Sequence, residues 1–168
     1  EDPAAFKQAH FIKTYPSVTI QEISIKNSEY DSLPFAQKIN FTTTLNNSGE
    51  YSYFTTNLFN GFEKNPFVED LRYTDIDFGY RHDHTFYENF TIPEGYKYET
   101  LPENISMEIP DKSASYTRFM EVKENVLNVM ITIKFRNSFY SAASYPDFHE
   151  FYKKLLASLN EQVVIKKK

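Results

Sequence analysis

Leu127-Asn128-Val129-Met130-Ile131-Thr132-Ile133-Lys134-Phe135 is the stretch that decides the fold. Apolar residues at 127, 129, 131, 133 and 135 alternate with Asn128, Met130, Thr132 and Lys134. A period of two sends successive side chains to opposite faces of a pleated strand, so the segment reads as a strand with one buried face. Glu124-Asn125 before it is a hairpin tip, and Ser115 to Val122 is the strand on the other side of that tip.

Further upstream, Ile105, Met107 and Ile109 predict one strand and Tyr96-Lys97-Tyr98 a shorter one after the turn Pro93-Glu94-Gly95. Phe86, Phe90 and Ile92 alternate as well, with Glu88 interrupting them on the same phase. Ile39, Phe41, Thr43 and Leu45 predict a strand, and Asn46-Asn47-Ser48-Gly49 a turn that returns through Tyr51 and Tyr53 as a hairpin. Val18, Ile20, Ile23 and Ile25 form another strand whose phase slips at Gln21-Glu22, the mark of a β-bulge. Two segments depart from this period. Phe148, Phe151, Tyr152, Leu155, Leu156 and Leu159 follow helical spacing, after a capping-box-like start at Ser144-Tyr145-Pro146-Asp147. Asp2-Pro3, with Phe6, Ala9 and Lys13 on one face, predicts a short helix that stops at Tyr15-Pro16. Val163-Val164-Ile165 closes the chain as a final strand.

Composition agrees with this reading. The 168 residues include sixteen Phe and thirteen Tyr but only four Gly, and aromatic residues favour pleated, half-buried surfaces. The expected architecture is mainly β: an antiparallel β-sandwich with a short N-terminal helix and a C-terminal amphipathic helix packed on the sheet. Residues 1–16 read as a helical connector from something upstream, and 17–168 as a single β-sandwich domain. The opening Glu1-Asp2-Pro3 carries no basic-then-apolar leader, and we expect an excised piece of a longer chain.

Several function classes are disfavoured. The formal charge is −5, and the only basic run is Lys166-Lys167-Lys168, so the footprint of nucleic-acid binding is missing. No Cys is present, which removes thiol catalysis, disulfides and thiolate metal sites from this chain. No apolar run approaches the roughly 20 residues of a membrane span. No nucleophile-elbow sequence occurs, and adjacent carboxylates such as Asp75 with Asp77, or Glu69 with Asp70, are expected by chance among 23 acidic residues. His82-Asp83-His84 places two imidazoles on one face of an extended segment, but a metal needs a third ligand, such as Asp77, and exposed polar residues are the plainer account. No catalytic residue, metal site or cofactor is expected.

The irregular stretch 51–80 is the principal candidate for binding. Gly61, Pro66 and Gly79 punctuate it, which predicts an ordered loop anchored by aromatics. Phe67, Arg72, Tyr73, Phe78 and Tyr80 are its candidate binding residues. Exposed rings there would stack on a glycan or anchor a protein; buried ones would fill the core and pin the loop. The absence of Trp weakens a sugar platform.

Longer motifs in the same region resemble a known family. These are Gly61-Phe62-Glu63-Lys64-Asn65-Pro66-Phe67, Arg72-Tyr73, Asp77-Phe78-Gly79-Tyr80, Ile92-Pro93-Glu94-Gly95-Tyr96, Leu101-Pro102-Glu103-Asn104 and Ile109-Pro110-Asp111. Tyr145-Pro146, Phe151-Tyr152-Lys153-Lys154 and Glu161-Gln162-Val163-Val164-Ile165-Lys166 follow in order. Together they resemble the C-terminal domain of unknown function of Bacteroidetes transglutaminase-like proteins, which follows a papain-like core. Thr74-Asp75-Ile76 departs from the Pro often found before the Asp-Phe-Gly-Tyr segment. The resemblance implies a non-catalytic accessory domain of a cell-envelope protein, periplasmic or extracellular, with a structural or protein-interaction role. Its implied partner is the transglutaminase-like core of the same parent chain, where the Cys-His-Asp chemistry would reside; an envelope protein or glycan is the alternative. Asp31-Ser32-Leu33 resembles an O-glycosylation acceptor of that phylum.

Overall fold

The computed structural model describes residues 14–30 and 32–168. The expected connector helix thus lies outside the described residues apart from positions 14–16, as does Asp31 of the glycosylation tripeptide. The chain divides into two units, one ending at Asn46 and the other covering Asn47–Lys168.

In the first unit, strands β1 (Val18–Lys26) and β2 (Ala36–Thr43) pair antiparallel. The ladder slips between Ile20 and Glu22, so the phase change at Gln21 is a bulge, as its pattern predicts. The partner of β2 differs from expectation. Rather than turning back onto the Tyr51 strand, it pairs with β1, and the short β3 (Asn46–Ser48) takes up the hairpin with β4 (Tyr51–Thr55). The Asn-Asn-Ser-Gly cluster supplies the turn, with Gly49 at φ +63°, but pairing with β4 reaches back only as far as Asn46.

The second unit is antiparallel β with one helix. Its strands are β5 (Ile76–Asp77), β6 (His82–Thr91), β7 (Tyr96–Thr100), β8 (Ile105–Glu108), β9 (Ala114–Lys123), β10 (Val126–Phe135), β11 (Phe139–Tyr140) and β12 (Gln162–Lys167). One four-stranded sheet has the order β6-β10-β9-β8, another β3-β4-β12-β7, and β5 pairs with β11. The alternation in β10 is realised residue by residue: Leu127, Val129, Ile131, Ile133 and Phe135 are buried, and the intervening side chains are not. Glu124, at φ 58°, makes the two-residue turn between β9 and β10.

Helix α1 (Tyr145–Leu159) buries Tyr145, Phe148, Phe151, Tyr152, Leu155, Ser158 and Leu159, while Leu156 is only half-buried. Phe148 and Tyr152 pack on Phe135 with ring centroids 5.7 and 6.4 Å away. Its start departs from the expected capping box. Ser144 closes a 3-10 turn (Ala142–Ser144) in αR conformation, and its hydroxyl donates back to Ser141 O instead of accepting from the helix. Asp147 in the first turn and the proline after Tyr145 still favour the start.

At the far end, buried Arg118 on β9 fastens the helix. Its guanidinium donates to Ser158 O and Glu103 O and pairs with the Glu161 carboxylate, a cation placed on the helix C-terminal carbonyls where the macrodipole favours it. The two four-stranded sheets are joined by Tyr98 on β7, whose hydroxyl donates to Phe90 O at 2.8 Å and accepts from Leu127 N–H at 3.1 Å. Phe54 on β4 also meets Phe90, with centroids 5.2 Å apart. No helix among the described residues is long and apolar enough to cross a membrane.

Candidate functional site

Between β4 and β6 the chain has no repeating period, so its conformation is fixed by side-chain and turn bonds. Asn60 accepts from Phe62 N–H and donates to Asn57, Asn65 accepts from Phe67 N–H, and Asp77 accepts from Gly79 N–H, each a local turn of the kind Asn and Asp favour. Phe59 and Gly61 both hold positive φ, at 60° and 79°. Tertiary bonds then tie the loop down. Tyr145 Oη donates to Glu69 O at 2.6 Å, Ala142 N–H to Asp75 Oδ1 at 2.8 Å, and Phe78 N–H to Ser138 O at 2.8 Å.

The five candidate residues divide into anchors and displayed groups. Phe67 is buried, its ring edge-on to Phe148 at 4.9 Å and to Tyr152 at 5.0 Å. Phe78 is half-buried, stacked on Phe135 at 5.6 Å and edge-on to Tyr140 at 5.9 Å. Arg72 is half-buried and braces the loop, its Nε–H donating to Thr74 O at 2.8 Å. Tyr73 and Tyr80, by contrast, are 90% and 67% exposed. Two aliphatic side chains join them: Val68 and Leu71 are 67% and 70% exposed. The segment between the anchors Phe67 and Phe78 is therefore a braced loop that carries apolar groups outward.

A second feature follows directly. The inner face of β6 carries His82, His84, Phe86 and Glu88, all half-buried, then buried Phe90. Their rings form a ladder continued from Tyr80: centroids are 4.4 Å apart for Tyr80–His82, 5.7 Å for His82–His84 and 6.1 Å for His84–Phe86. Phe62 meets His84 edge-on at 6.0 Å. The two imidazoles are thus packed groups of the inner face, not the exposed polar residues that the sequence suggests. Asp83, between them, points outward to Lys134 at 3.3 Å, and Asp77 is taken up by its own turn. Among the described residues no group of three or more His, Asp or Glu is placed to hold a metal ion.

Electrostatics on this face are unusual. Glu88 faces Val129 across the ladder, and its Oε2 is buried without a hydrogen-bond partner. Burial pushes its carboxyl up from 4.5 to about 8, because a carboxylate there would lose its hydration with nothing in return. Burial, then the neighbouring His82, hold His84 below its usual value, with Asp83 opposing. His82 Nε2 is also buried without a partner. Sequence reading finds Glu88 only as a break in an apolar phase; that break, a carboxylate among inward-facing residues, is itself the signal.

The comparisons with known proteins agree with this architecture. No curated protein matches the chain. A crystal structure of a "putative protease" from Parabacteroides distasonis ATCC 8503 is similar in fold, with a TM-score of 0.51 and 17% identity. The similarity covers 59% of this chain and 19% of that one, so this chain corresponds to a small part of the longer protein's length. The model of one family, described as a domain of unknown function with a solved structure (DUF3858), matches residues 50–165. That span lies within the second unit and takes in the braced loop, β6 and α1, and the chain belongs to the DUF3858 family.

Proposed function

We propose that this chain is the non-catalytic accessory domain of a larger, transglutaminase-like protein of the bacterial cell envelope, and that it docks on the papain-like core of the same parent through the loop 68–80. The observation that carries this reading is the display of Val68, Leu71, Tyr73 and Tyr80, each at least two-thirds exposed, on a backbone braced by Phe67, Tyr145 and Arg72. A rigid loop loses little conformational entropy on docking, so its apolar surface converts more fully into affinity. The motifs that resemble the domain following a transglutaminase-like core support the choice of partner. The similar fold within the much longer Parabacteroides chain, titled a "putative protease", supports a hydrolase-like parent.

The alternative, a glycan- or peptide-binding module, rests on the rings of Tyr73 and Tyr80. Sugar platforms are built from aromatic faces, whereas half of the displayed groups here are aliphatic, and no Trp is present. Aliphatic and tyrosine side chains together suit a protein surface. Hydrogen exchange of the full-length parent, compared with the 168-residue chain alone, tests the reading: amides of 68–80 gain protection in the parent if the loop docks. Equal exchange in both would remove intramolecular docking, and a glycan array would then be the next screen.

A further inference from the structure

Strand β6 forms one edge of its sheet, and among the described residues β10 is its only strand partner. Edge strands usually carry a device that stops another chain from pairing with them, such as Lys, Pro, a bulge or an inward-pointing charge. His82–Thr91 has ten residues in unbroken register with β10, and contains no Lys, Pro or Gly. Against pairing it carries only Asp83, outward and held to Lys134, and the carboxyl of Glu88, inward-pointing and with an unpartnered oxygen.

We infer that β6 pairs antiparallel with β6 of a second copy, with Phe86 on the two-fold axis and His84 opposite Glu88 of the other copy. Residues directly opposed in an antiparallel pair share a face, so an axis through Phe86 sets 82 against 90, 84 against 88, and 85 against 87. Each buried carboxyl then gains an imidazole across the interface, twice by symmetry, and the unpartnered Glu88 Oε2 acquires a donor. The same register sets Phe86 against Phe86, an aromatic cross-strand pair. On the outer face it sets Asp83 against Asn89, which avoids a like-charge clash.

The outer face also fits. Tyr87, Met130 and Phe119 lie in one register row across β6, β10 and β9 and are 75%, 36% and 47% exposed. Pairing 87 with 85 places the two Tyr87 rings diagonally across the axis, within reach of each other. Two exposed rows thereby meet on a continuous sheet of eight strands. This interface uses β6 and not the loop 68–80, so it stands or falls separately from the docking reading.

The decisive test is a charge swap. Positions 84 and 88 of one chain lie about 13 Å apart along the strand, too far for direct contact, so any coupling between them in dimerisation is intermolecular. Sedimentation velocity of the whole chain should show a reversible monomer–dimer equilibrium at or below about 1 mM, a weak but specific range. H84E should shift it at least tenfold toward monomer, and H84E/E88H should restore it, with circular dichroism confirming that each variant is folded. A second pair of variants covers the case in which these do not fold. T85C/Y87C, on the outer face of a chain without native Cys, should give a covalent dimer on oxidation, far less in a chain that also carries H84E. A wild type that stays monomeric to about 1 mM overturns the inference. So does a dimer indifferent to H84E, a folded double swap as monomeric as H84E, or a T85C/Y87C chain that yields no covalent dimer.

Discussion

Replacing Glu88 by Gln should stabilise the protein at neutral pH, and by an amount that grows with pH. The folded chain holds the Glu88 proton up to about pH 8, whereas the unfolded chain releases it near 4.5. A carboxyl raised on folding therefore contributes its full stability below 4.5 and loses it as pH rises through the folded value. Integrating between the two values gives a linked cost of about 1 kcal/mol at pH 5, about 3 at pH 7 and about 4 at pH 8. Gln has no proton to lose and keeps nearly the same volume, so E88Q should lack this dependence. Urea unfolding of dilute wild type and E88Q at pH 5, 7 and 8 reads the effect. With a denaturant slope of about 2 kcal/mol/M, the midpoint of E88Q should exceed that of wild type by roughly 1.5–2 M at pH 8, and by little at pH 5. His84, held below its usual value, costs stability in the other direction, as pH falls below about 6.5. It is common to both proteins and cancels in the difference. Parallel pH profiles, or an E88Q protein less stable at pH 8, would refute the reasoning.

Substitutions at four further positions separate residues that hold the fold from one that it displays. Phe67→Ala should cost about 3–5 kcal/mol in urea unfolding, because it empties the space between Phe148 and Tyr152, whereas Tyr73→Ala, on a ring 90% exposed, should stay within about 0.5 kcal/mol. Arg118→Ala should cost about 3 kcal/mol by removing charged donors from Ser158 O and Glu103 O; Arg118→Lys should recover little, since one ammonium cannot span both carbonyls and Glu161. Tyr98→Phe should cost about 1–2 kcal/mol in the same assay by leaving the Leu127 N–H without its acceptor.

Where the chain has a period, its structure is legible. The five inward residues of β10, the bulge at Gln21, the turn at Glu124 and the apolar stripe of α1 are each read from spacing, because spacing fixes which face a side chain takes. It does not fix what a strand pairs with, and so β2 went to β1 rather than to β4. Nor does a capping pattern fix the cap: the 3-10 turn before α1 draws the Ser144 hydroxyl to Ser141. The loop is harder still. Phe67 and Tyr73 are both aromatic residues in a segment without period, and only the rings of α1 that receive Phe67 decide that one is buried and the other exposed. Glu88 falls between these cases. Its phase places it on the inner face, but only the structure shows that nothing there answers its charge.

The proposed docking of this domain on the core of its parent, through the loop 68–80, is open to a direct test. Calorimetric titration of the domain into the separately produced core, with Leu71→Ala and Tyr73→Ala as folded surface variants, tests it most directly. The expected result is saturable binding by the wild-type domain that weakens at least tenfold in each variant while the unfolding midpoint stays unchanged. No heat of binding at any temperature tried, or wild-type affinity in both variants, would contradict it.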